Sequence, residues 1–290
     1  MLSIGKLGAG QETYYLEKVA QGAEDYYSGE GEAEGQWKGA GARELGLENE
    51  VGAEQLTAML TGLDPASGAL LVGSRGVSGG RGPVPGFDLT FSAPKSVSLL
   101  WALGDPATQA AVRKAHERSL DAALSYMQRQ ACWTRRGAGG AEFVPGSGYL
   151  AAAFRHRSSR AGDPQLHTHV LIANATKGPD GRFTRLYHPA IYAQAKTAGY
   201  LYEAQLRHEL TRDLGLEWQQ VRNGIAEVSG FSERHLREFS QRRTEILAAA
   251  GGPGSSRAAR QAAALATRAA KVNRCIAEGR VDLRRQLTEE

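Results

Sequence analysis

The sequence predicts an α+β fold, in which an antiparallel β-sheet is combined with long helices. Two strand-like segments, 149–156 and 166–176, are joined by a polar loop with Gly162, Asp163 and Pro164, which is typical of a β-hairpin. Strands and long helices are mixed along the chain rather than alternating regularly. This mixture, together with the hairpin, indicates the α+β class.

The first ninety residues predict two helices and one strand. Residues 12–27 and 52–63 have helical patterns, whereas residues 28–50 and 73–86 are rich in Gly and predict loops. Residues 87–92 alternate in polarity, which predicts a half-buried strand. Its apolar side chains on one face are Phe87, Leu89 and Phe91, and its polar side chains on the other are Asp88, Thr90 and Ser92.

The remaining elements are mainly helices. A helix is expected directly after the strand, with Ser92 as its N-cap and Pro94 in its first turn. Further helices are expected over 105–131 and 190–216. Residues 231–290 also predict helix, interrupted by the segment GGPGSS at 251–256.

Composition and cysteine content describe an ordinary globular protein. The chain has 290 residues, of which 41% are hydrophobic and 23% charged. No apolar run approaches 18 residues, and the N-terminus lacks the apolar core of a signal peptide, so we expect neither a membrane span nor secretion. Cys132 and Cys275 form no zinc-site or disulfide pattern, which fits a reducing cytoplasm.

The charge is unevenly distributed along the chain. Residues 1–65 contain 12 acidic and 4 basic side chains, and the rest contains 19 acidic and 31 basic ones. A basic body favours a polyanion such as nucleic acid as partner. The alternative is a solvated surface with uneven charge.

Three of the seven histidines lie close together in the sequence. His167 and His169 are two residues apart on a predicted strand, so they share one face, and His156 lies on the strand before. In the matching register, all three imidazoles would lie within a few ångströms, and a slip of one residue would separate them. Three neutral imidazoles favour a divalent metal site with open coordination positions. A general acid–base cluster is the alternative.

Asp88 and two pairs of tyrosines are further candidates. Asp88 could orient a ligating imidazole or act as a base, or it could be an exposed strand residue. The pairs Tyr14–Tyr15 and Tyr26–Tyr27 could supply a nucleophile, because an activated phenol can form covalent intermediates. By propensity alone, core packing is the simpler explanation for any one of these tyrosines.

Four segments of the sequence together resemble a known family. They are the N-terminal MLSIGKLGAG with the two tyrosine pairs, GFDLTFSAPKSVS around Asp88, FRH…DPQLHTHVLIAN around the histidines, and GFS…RR near residue 243. In this order they resemble the relaxase domain of the MobF (TraI/TrwC-like) conjugative relaxases, which are His-hydrophobe-His endonucleases. Trp37 with GAGARELGL adds to this resemblance, which extends from residue 1 to about residue 245.

The resemblance implies a fold and a reaction. The fold would be an antiparallel sheet palm flanked by helices over residues 1–230, with basic, helical fingers over 231–290. The reaction would be the nicking and rejoining of one DNA strand at an origin of transfer, through a covalent 5′-phosphotyrosyl intermediate. Tyr14 would be the nucleophile, Asp88 a base or orienting residue, and Tyr26 the nucleophile of a second strand transfer.

The implied metal site consists of His156, His167 and His169 holding one divalent ion. Mg²⁺ or Mn²⁺ is expected, with Zn²⁺ or Ni²⁺ as alternatives because imidazole favours softer ions. Twelve residues separate Tyr14 from Tyr26, which is about 18 Å along a straight helix. Both phenols therefore cannot reach one phosphate unless the helix breaks, for which Gly22 is a candidate, or moves.

The implied partner is single-stranded DNA at an origin of transfer, with an adjacent hairpin. Candidate DNA contacts are Arg75, Arg81, Arg242 and Arg243. The resemblance also implies relaxosome accessory proteins, the coupling protein of a secretion system, a monomer, and the bacterial cytoplasm. The sequence contains no Walker A motif, so it gives no basis for assigning helicase activity to these residues.

Three other functions remain open. A rolling-circle replication initiator would use the same chemistry at a replication origin. A metal-dependent hydrolase of single-stranded DNA would need no tyrosine. A DNA-binding protein without catalysis would need no metal, and the combination of tyrosine, aspartate and three histidines argues against it.

Overall fold

The computed structural model describes residues 1–7, 35–48, 50–72, 84–159 and 161–267. Within these residues the strands are β1 (Leu2–Lys6), β2 (Gln36–Lys38), β3 (Gly86–Ser92), β4 (Trp133–Arg136), β5 (Glu142–Pro145), β6 (Ala151–Ser158), β7 (Pro164–Ala173), β8 (Thr176–Lys177) and β9 (Phe183–Thr184). The helices are α1 (Ala40–Glu44), α2 (Ala53–Thr61), α3 (Lys95–Leu103), α4 (Pro106–Ala131), α5 (His188–Leu214), α6 (Glu233–Glu238), α7 (Gln241–Ala249) and α8 (Arg257–Ala266).

Five strands form the main sheet, in the order β1-β3-β7-β6-β2. Strand β3 pairs antiparallel with both β1 and β7, and β2 pairs antiparallel with β6. Strands β4 and β5 form a separate two-stranded ribbon, as do β8 and β9. The α+β class predicted from the sequence is confirmed.

The interior strand β3 follows the alternation in its sequence. Phe87, Leu89 and Phe91 are at most 1% exposed, and the Phe91 ring lies 5.5 Å from the ring of Tyr202 on α5. Helix α5 therefore packs on this apolar face of the sheet. Asp88 and Thr90 point to the opposite face because successive side chains alternate.

The start of β3 lies very close to its neighbour. A Cβ atom at Gly86 would lie 2.2 Å from the backbone oxygen of Ile172 on β7. Such a separation is far below van der Waals contact. Only glycine allows the two strands to approach this closely at this point.

The chain divides into two compact units. Among the described residues, the first unit comprises those within 1–92, 117–156 and 167–206, and the second comprises those within 93–116, 157–166 and from 207 onward. The first unit contains a core in which Leu56 and Met59 of α2 are buried together with Phe154 and Leu171 of the sheet. The proposed division of the chain at residue 230 stays a prediction.

A buried polar network organises the start of helix α3 in the second unit. The Ser96 hydroxyl donates to Glu227 Oε2 at 2.6 Å and accepts from the backbone N–H of Val228 at 2.8 Å. Lys95 Nζ donates to the Pro164 backbone oxygen at 2.8 Å. Burial lowers the pKa of Lys95, although the negative charges of Asp163 and Glu227 oppose this shift.

The helix predictions agree with the structure in most described segments. Helices α2, α4 and α5 lie where the sequence predicts them, and 251–256 separates α7 from α8. The prediction that Ser92 caps α3 is wrong. Ser92 is still paired with His167 in the sheet, and the N-cap position of α3 is Pro94. The predicted helix at 12–27 lies outside the described residues.

No helix in the described part of the chain is both long enough and apolar enough to cross a membrane.

We expect Ser96→Ala to lower the free energy of unfolding by about 2 kcal/mol, since it leaves the buried Val228 N–H and Glu227 carboxylate without this hydroxyl. Urea denaturation followed by circular dichroism measures the change. The exposed Ser229 provides the control, and Ser229→Ala should change stability by less than about 0.5 kcal/mol. Equal effects of the two substitutions would contradict the assigned role of the network.

Candidate metal centre

The hairpin of β6 and β7 brings three histidines together. His156 lies on β6, and His167 and His169 lie on β7. Their ring centroids are 5.0–5.2 Å apart in all three pairs. One ligating nitrogen from each ring lies within 4.8 Å of the other two. The structure thus has the juxtaposition that the sequence predicts.

The cluster is buried on one side and partly open on the other. His156 is only 1% exposed, whereas His167 and His169 are half-buried. The residue between the two β7 histidines, Thr168, points to the other face of the sheet and is buried. A ligand could therefore reach the imidazoles past His167 and His169.

Asp88 lies behind one of the imidazoles. His169 Nδ1 is 2.9 Å from Asp88 Oδ1 and 2.8 Å from Asp88 Oδ2. A carboxylate in this position favours the tautomer with a proton on Nδ1, which leaves the lone pair of Nε2 for a metal. Of the roles considered for Asp88, this geometry favours that of orienting residue.

Thr90 is a further member of the site that the sequence argument did not assign. It is the cross-strand partner of His169, and its Oγ1 lies 3.2 Å from both Asp88 Oδ1 and His169 Nδ1. A hydroxyl has one donor and two acceptor positions, so it can donate to the carboxylate and accept from the ring N–H. The alternation at 87–92 was the signal for this residue, because it places Thr90 on the same face as Asp88.

The donor set fits a divalent transition metal. Three imidazoles occupy three coordination positions, which leaves at least one open for a substrate oxygen or water. The ligands contain no oxygen donor, whereas Mg²⁺ prefers oxygen. The chemistry of the ligands therefore favours Mn²⁺ and softer ions.

The two described arginines among the predicted DNA contacts have different surroundings. The guanidinium of Arg242 donates to the backbone oxygens of Ala264 and Thr267 at 2.9 and 3.0 Å, and its side chain is 13% exposed. It therefore joins α7 to the end of α8. Arg243 is exposed. Tyr14, Tyr26, Arg75 and Arg81 lie outside the described residues.

An antiparallel sheet with a His-x-His pair, a third histidine on the next strand and a carboxylate behind one ring defines a class of protein. This class is called His-hydrophobe-His after its two histidines and the residue between them. In this chain the middle residue is Thr168, whose side chain is buried. A family model described as TrwC relaxase matches residues 8–289 of this chain. The chain belongs to the TrwC relaxase family.

Relatives with known names agree with this membership. The chain is 33% identical over 279 residues to the multifunctional conjugation protein TraI of Escherichia coli, and over 283 residues to the protein of that name from strain K12. The alignments cover 93% of this chain and 15% of each relative. The chain thus spans about one seventh of the length of these relatives.

Solved structures of conjugative relaxase TrwC have the same fold. A metal-free complex with OriT DNA is 31% identical with a TM-score of 0.83, and a copper-bound complex is 32% identical with a TM-score of 0.86. A complex with a 27-mer DNA, described as comprising the recognition hairpin and the cleavage site, is 31% identical with a TM-score of 0.82. Each comparison covers 100% of this chain and 98% of the solved chain.

We expect Asp88→Asn to weaken metal binding about 10- to 100-fold, because the amide no longer holds the His169 ring with two carboxylate oxygens. Isothermal titration of the metal-free protein with Mn²⁺ and Ni²⁺ measures the dissociation constants. Asp121→Asn, which changes a carboxylate of α4 that pairs with Lys38, is the control and should leave them unchanged. An Asp88→Asn protein with wild-type affinity would remove the orienting role.

We expect Thr90→Val to weaken metal binding about ten-fold, since valine keeps the shape of threonine but cannot bond to Asp88 or His169. Thr90→Ser should restore the affinity because it returns the hydroxyl. Nitrogen chemical shifts of ¹⁵N-histidine in the metal-free protein provide a second measurement, and the valine variant should reduce the Nδ1–H tautomer of His169. If serine fails to restore the affinity, packing by the methyl group explains the effect and the hydrogen bonds do not.

Proposed function

We propose that this chain nicks and rejoins one DNA strand at an origin of transfer, through a covalent tyrosyl intermediate. The observation that carries the proposal is the triple-histidine cluster with Asp88 behind His169, in a chain that matches the TrwC relaxase family over residues 8–289. The relatives are named as conjugation proteins, and the solved TrwC structures are complexes with OriT DNA. The reaction would begin conjugative transfer.

The histidines would hold one divalent metal ion through nitrogen atoms on the shared face of the sheet. When bound, such an ion would act as a Lewis acid toward the negative charge of the scissile phosphate. Asp88 and Thr90 would keep the His169 ring in the ligating orientation. Metal-bound and copper-bound forms of TrwC support a metal at such a site, and the native ion of this chain is left open.

The chemical step assigned to Tyr14 is a transesterification. The phenol oxygen would attack the scissile phosphorus, forming a bond from Oη to phosphorus while the bond from phosphorus to the 3′-oxygen breaks. The phenol proton would leave to a base or water, and the departing oxygen would take up a proton to become a free 3′-hydroxyl. Because one phosphate ester replaces another, the 3′-hydroxyl can later reverse the reaction and rejoin the strand.

Tyr26 is the proposed nucleophile of a later strand transfer. A second phenol allows a second strand to be cleaved while the first remains attached to Tyr14. On a straight helix the two tyrosines would be about 18 Å apart. The two steps would therefore use the metal centre in turn, after a break or movement of the intervening segment.

The proposed DNA substrate is a single strand next to a hairpin. Support comes from the TrwC complex described with a recognition hairpin and cleavage site. Arg75, Arg81 and Arg243 are the proposed phosphate contacts. For Arg242 the proposal is weakened, because its guanidinium already bonds to the end of helix α8.

Further parts of the proposal concern the cellular setting. We place the chain in the bacterial cytoplasm as a monomer, working with relaxosome accessory proteins and a coupling protein. Its membership of the TrwC relaxase family supports these assignments.

Two other functions use a similar site. A rolling-circle initiator would cleave a replication origin in preference to an origin of transfer. A hydrolase would release a 5′-phosphate and form no adduct with protein. The product and the preferred sequence therefore distinguish all three.

We expect Tyr14→Phe to abolish nicking and Tyr26→Phe to leave first-strand nicking within about three-fold of wild type, because only Tyr14 attacks the first phosphate. A 3′-labelled oligonucleotide that spans the origin of transfer of the encoding element is incubated with Mn²⁺ or with EDTA. On a denaturing gel, the wild type should give a labelled, protease-sensitive protein–DNA band that requires metal. His167→Ala should lose this band together with the metal affinity.

Two outcomes would contradict this assignment. Cleavage without a protein-linked band would indicate hydrolysis and remove Tyr14 as nucleophile. Equal loss of nicking in both tyrosine variants would remove the division of roles between them. Tyr126→Phe, a substitution on helix α4, is the control for removing a phenol hydroxyl and should nick normally.

A further inference from the structure

A strip of aromatic and cationic side chains lies on the first unit, away from the histidines. It runs from the β4–β5 ribbon along the first half of helix α5. We call it the α5 strip and define it by Arg135, Phe143, Tyr187, Tyr192, Lys196 and Tyr200.

At the ribbon end, one guanidinium lies beside two aromatic rings that contact each other. Arg135 Cζ is 5.0 Å from the centroid of the Phe143 ring and 4.8 Å from that of Tyr187, and the two rings are 4.6 Å apart. Phe143 is 49% exposed, so part of its ring is accessible to a ligand. An arginine stacked in this way is held in place while its planar N–H groups can still bond to a phosphate.

At the helix end, the residues are spaced four apart. Tyr192, Lys196 and Tyr200 therefore share one flank of α5. Lys196 Nζ lies 5.5 Å from the Tyr200 ring centroid, and the two tyrosines are 38% and 39% exposed. The residues that α5 turns toward the sheet are fully buried, namely Ile191, Ala198 and Tyr202.

His188 connects the two ends of the strip. Its ring lies 6.3 Å from the Tyr192 ring and stacks on Phe87 at 5.8 Å. Burial lowers the pKa of His188, and the positive charges of Lys6 and Arg135 lower it further. A cleft of about 350 Å³, lined in part by Arg135, Tyr187 and His188, opens at this point.

The strip and the metal centre are on opposite faces of the main sheet. Helix α5 packs on the face of Phe91, as the contact between Phe91 and Tyr202 shows. The three histidines and Asp88 lie on the other face, because Thr90 and His169 are cross-strand partners and side chains alternate. A ligand bound to the strip would therefore not contact a metal ion at the histidines.

We propose that the α5 strip binds a second segment of single-stranded DNA, apart from the scissile phosphate and without any need for metal. Rings that alternate with cations are the pattern that holds single strands, since bases stack on the rings while the cations meet the phosphates. In a duplex the bases are already stacked on each other and offer no free face to these rings. That the nucleic acid is DNA rests on the proposed function.

The test uses a fluorescein-labelled 20-nucleotide oligothymidylate, titrated with the full chain in EDTA and followed by fluorescence anisotropy. Tyr200→Leu should raise the dissociation constant about five-fold or more, because leucine is apolar but cannot stack on a base. Tyr200→Phe, the matched control, should bind as the wild type does. Lys196→Gln should reduce the slope of log K against log salt by about 0.7, the value expected for one phosphate contact on a single strand.

A second measurement locates the strand on the protein. The same oligonucleotide with 5-iododeoxyuridine in place of thymidine is irradiated, and cross-linked peptides are identified by mass spectrometry. We expect cross-links at Tyr187, Tyr192 or Tyr200. Lys114→Gln, which removes an exposed lysine from helix α4, is the charge control and should leave the affinity and the cross-links unchanged.

Specific results would overturn the proposal. The proposal is wrong if Tyr200→Leu and Tyr192→Leu bind the oligonucleotide with dissociation constants within two-fold of wild type and the cross-links lie only outside the strip. If the variants weaken the binding of a duplex hairpin but not that of the single-stranded oligonucleotide, the strip binds duplex DNA and the proposal is wrong.

The proposed function can fail independently of the strip. Nicking requires metal and Tyr14, whereas the anisotropy experiment uses neither, so Tyr14→Phe should bind the oligothymidylate normally. Absence of nicking in the wild type would leave the binding result valid. If the strip does not bind single-stranded DNA but the wild type nicks normally, only the strip proposal fails and the proposed function stands.

Discussion

The pairing of β3 with β7 is the constraint on which the metal centre depends. It aligns Thr90 with His169 and Ser92 with His167, so the polar face of one strand lies beside the histidines of the other. A shift of this register by one residue would turn the side chains of one strand to the opposite face. The apolar side chains of β3 oppose such a shift, because Leu89 and Phe91 would then leave the core under helix α5. Core packing thus fixes the position of Asp88 behind His169.

The same sheet separates the two proposed kinds of interaction with nucleic acid. One face holds the imidazoles, where the proposed chemistry needs a small number of atoms at short, defined distances. The α5 strip lies on the other face and offers stacking and charge, which tolerate variation in base and position. The histidine face also carries Phe154 and Leu171, which pack against α2, so the imidazoles lie at the edge of a core while the strip lies on the outer flank of α5. The two sites therefore share no residues.

Much of this arrangement could be predicted from the sequence. The alternation at 87–92 and the spacing of His167 and His169 report directly on side-chain direction in a strand, so the shared face and the hairpin could be predicted.

The order of the strands in the sheet could not be predicted, because the pairing of β1 with β3 joins segments about eighty residues apart. The error at Ser92 has the same origin: local preference favours a cap, but pairing with His167 extends the strand. Arg242 was predicted as a phosphate contact from its charge, and the sequence does not indicate that its guanidinium also bonds to Glu245 on α7 and to Ala264 and Thr267 at the end of α8. The α5 strip was missed because Tyr192 and Tyr200, eight residues apart on one flank of a helix, resemble an ordinary core stripe.

The close approach at Gly86 limits how the protein could vary. Any side chain there would collide with the Ile172 backbone oxygen and force the first residues of β3 away from β7. Asp88 is only two residues further along the strand, so the collision would be transmitted to the carboxylate that faces His169. In a genetic selection for function, a position with no chemistry of its own would therefore be as intolerant of substitution as a ligand histidine.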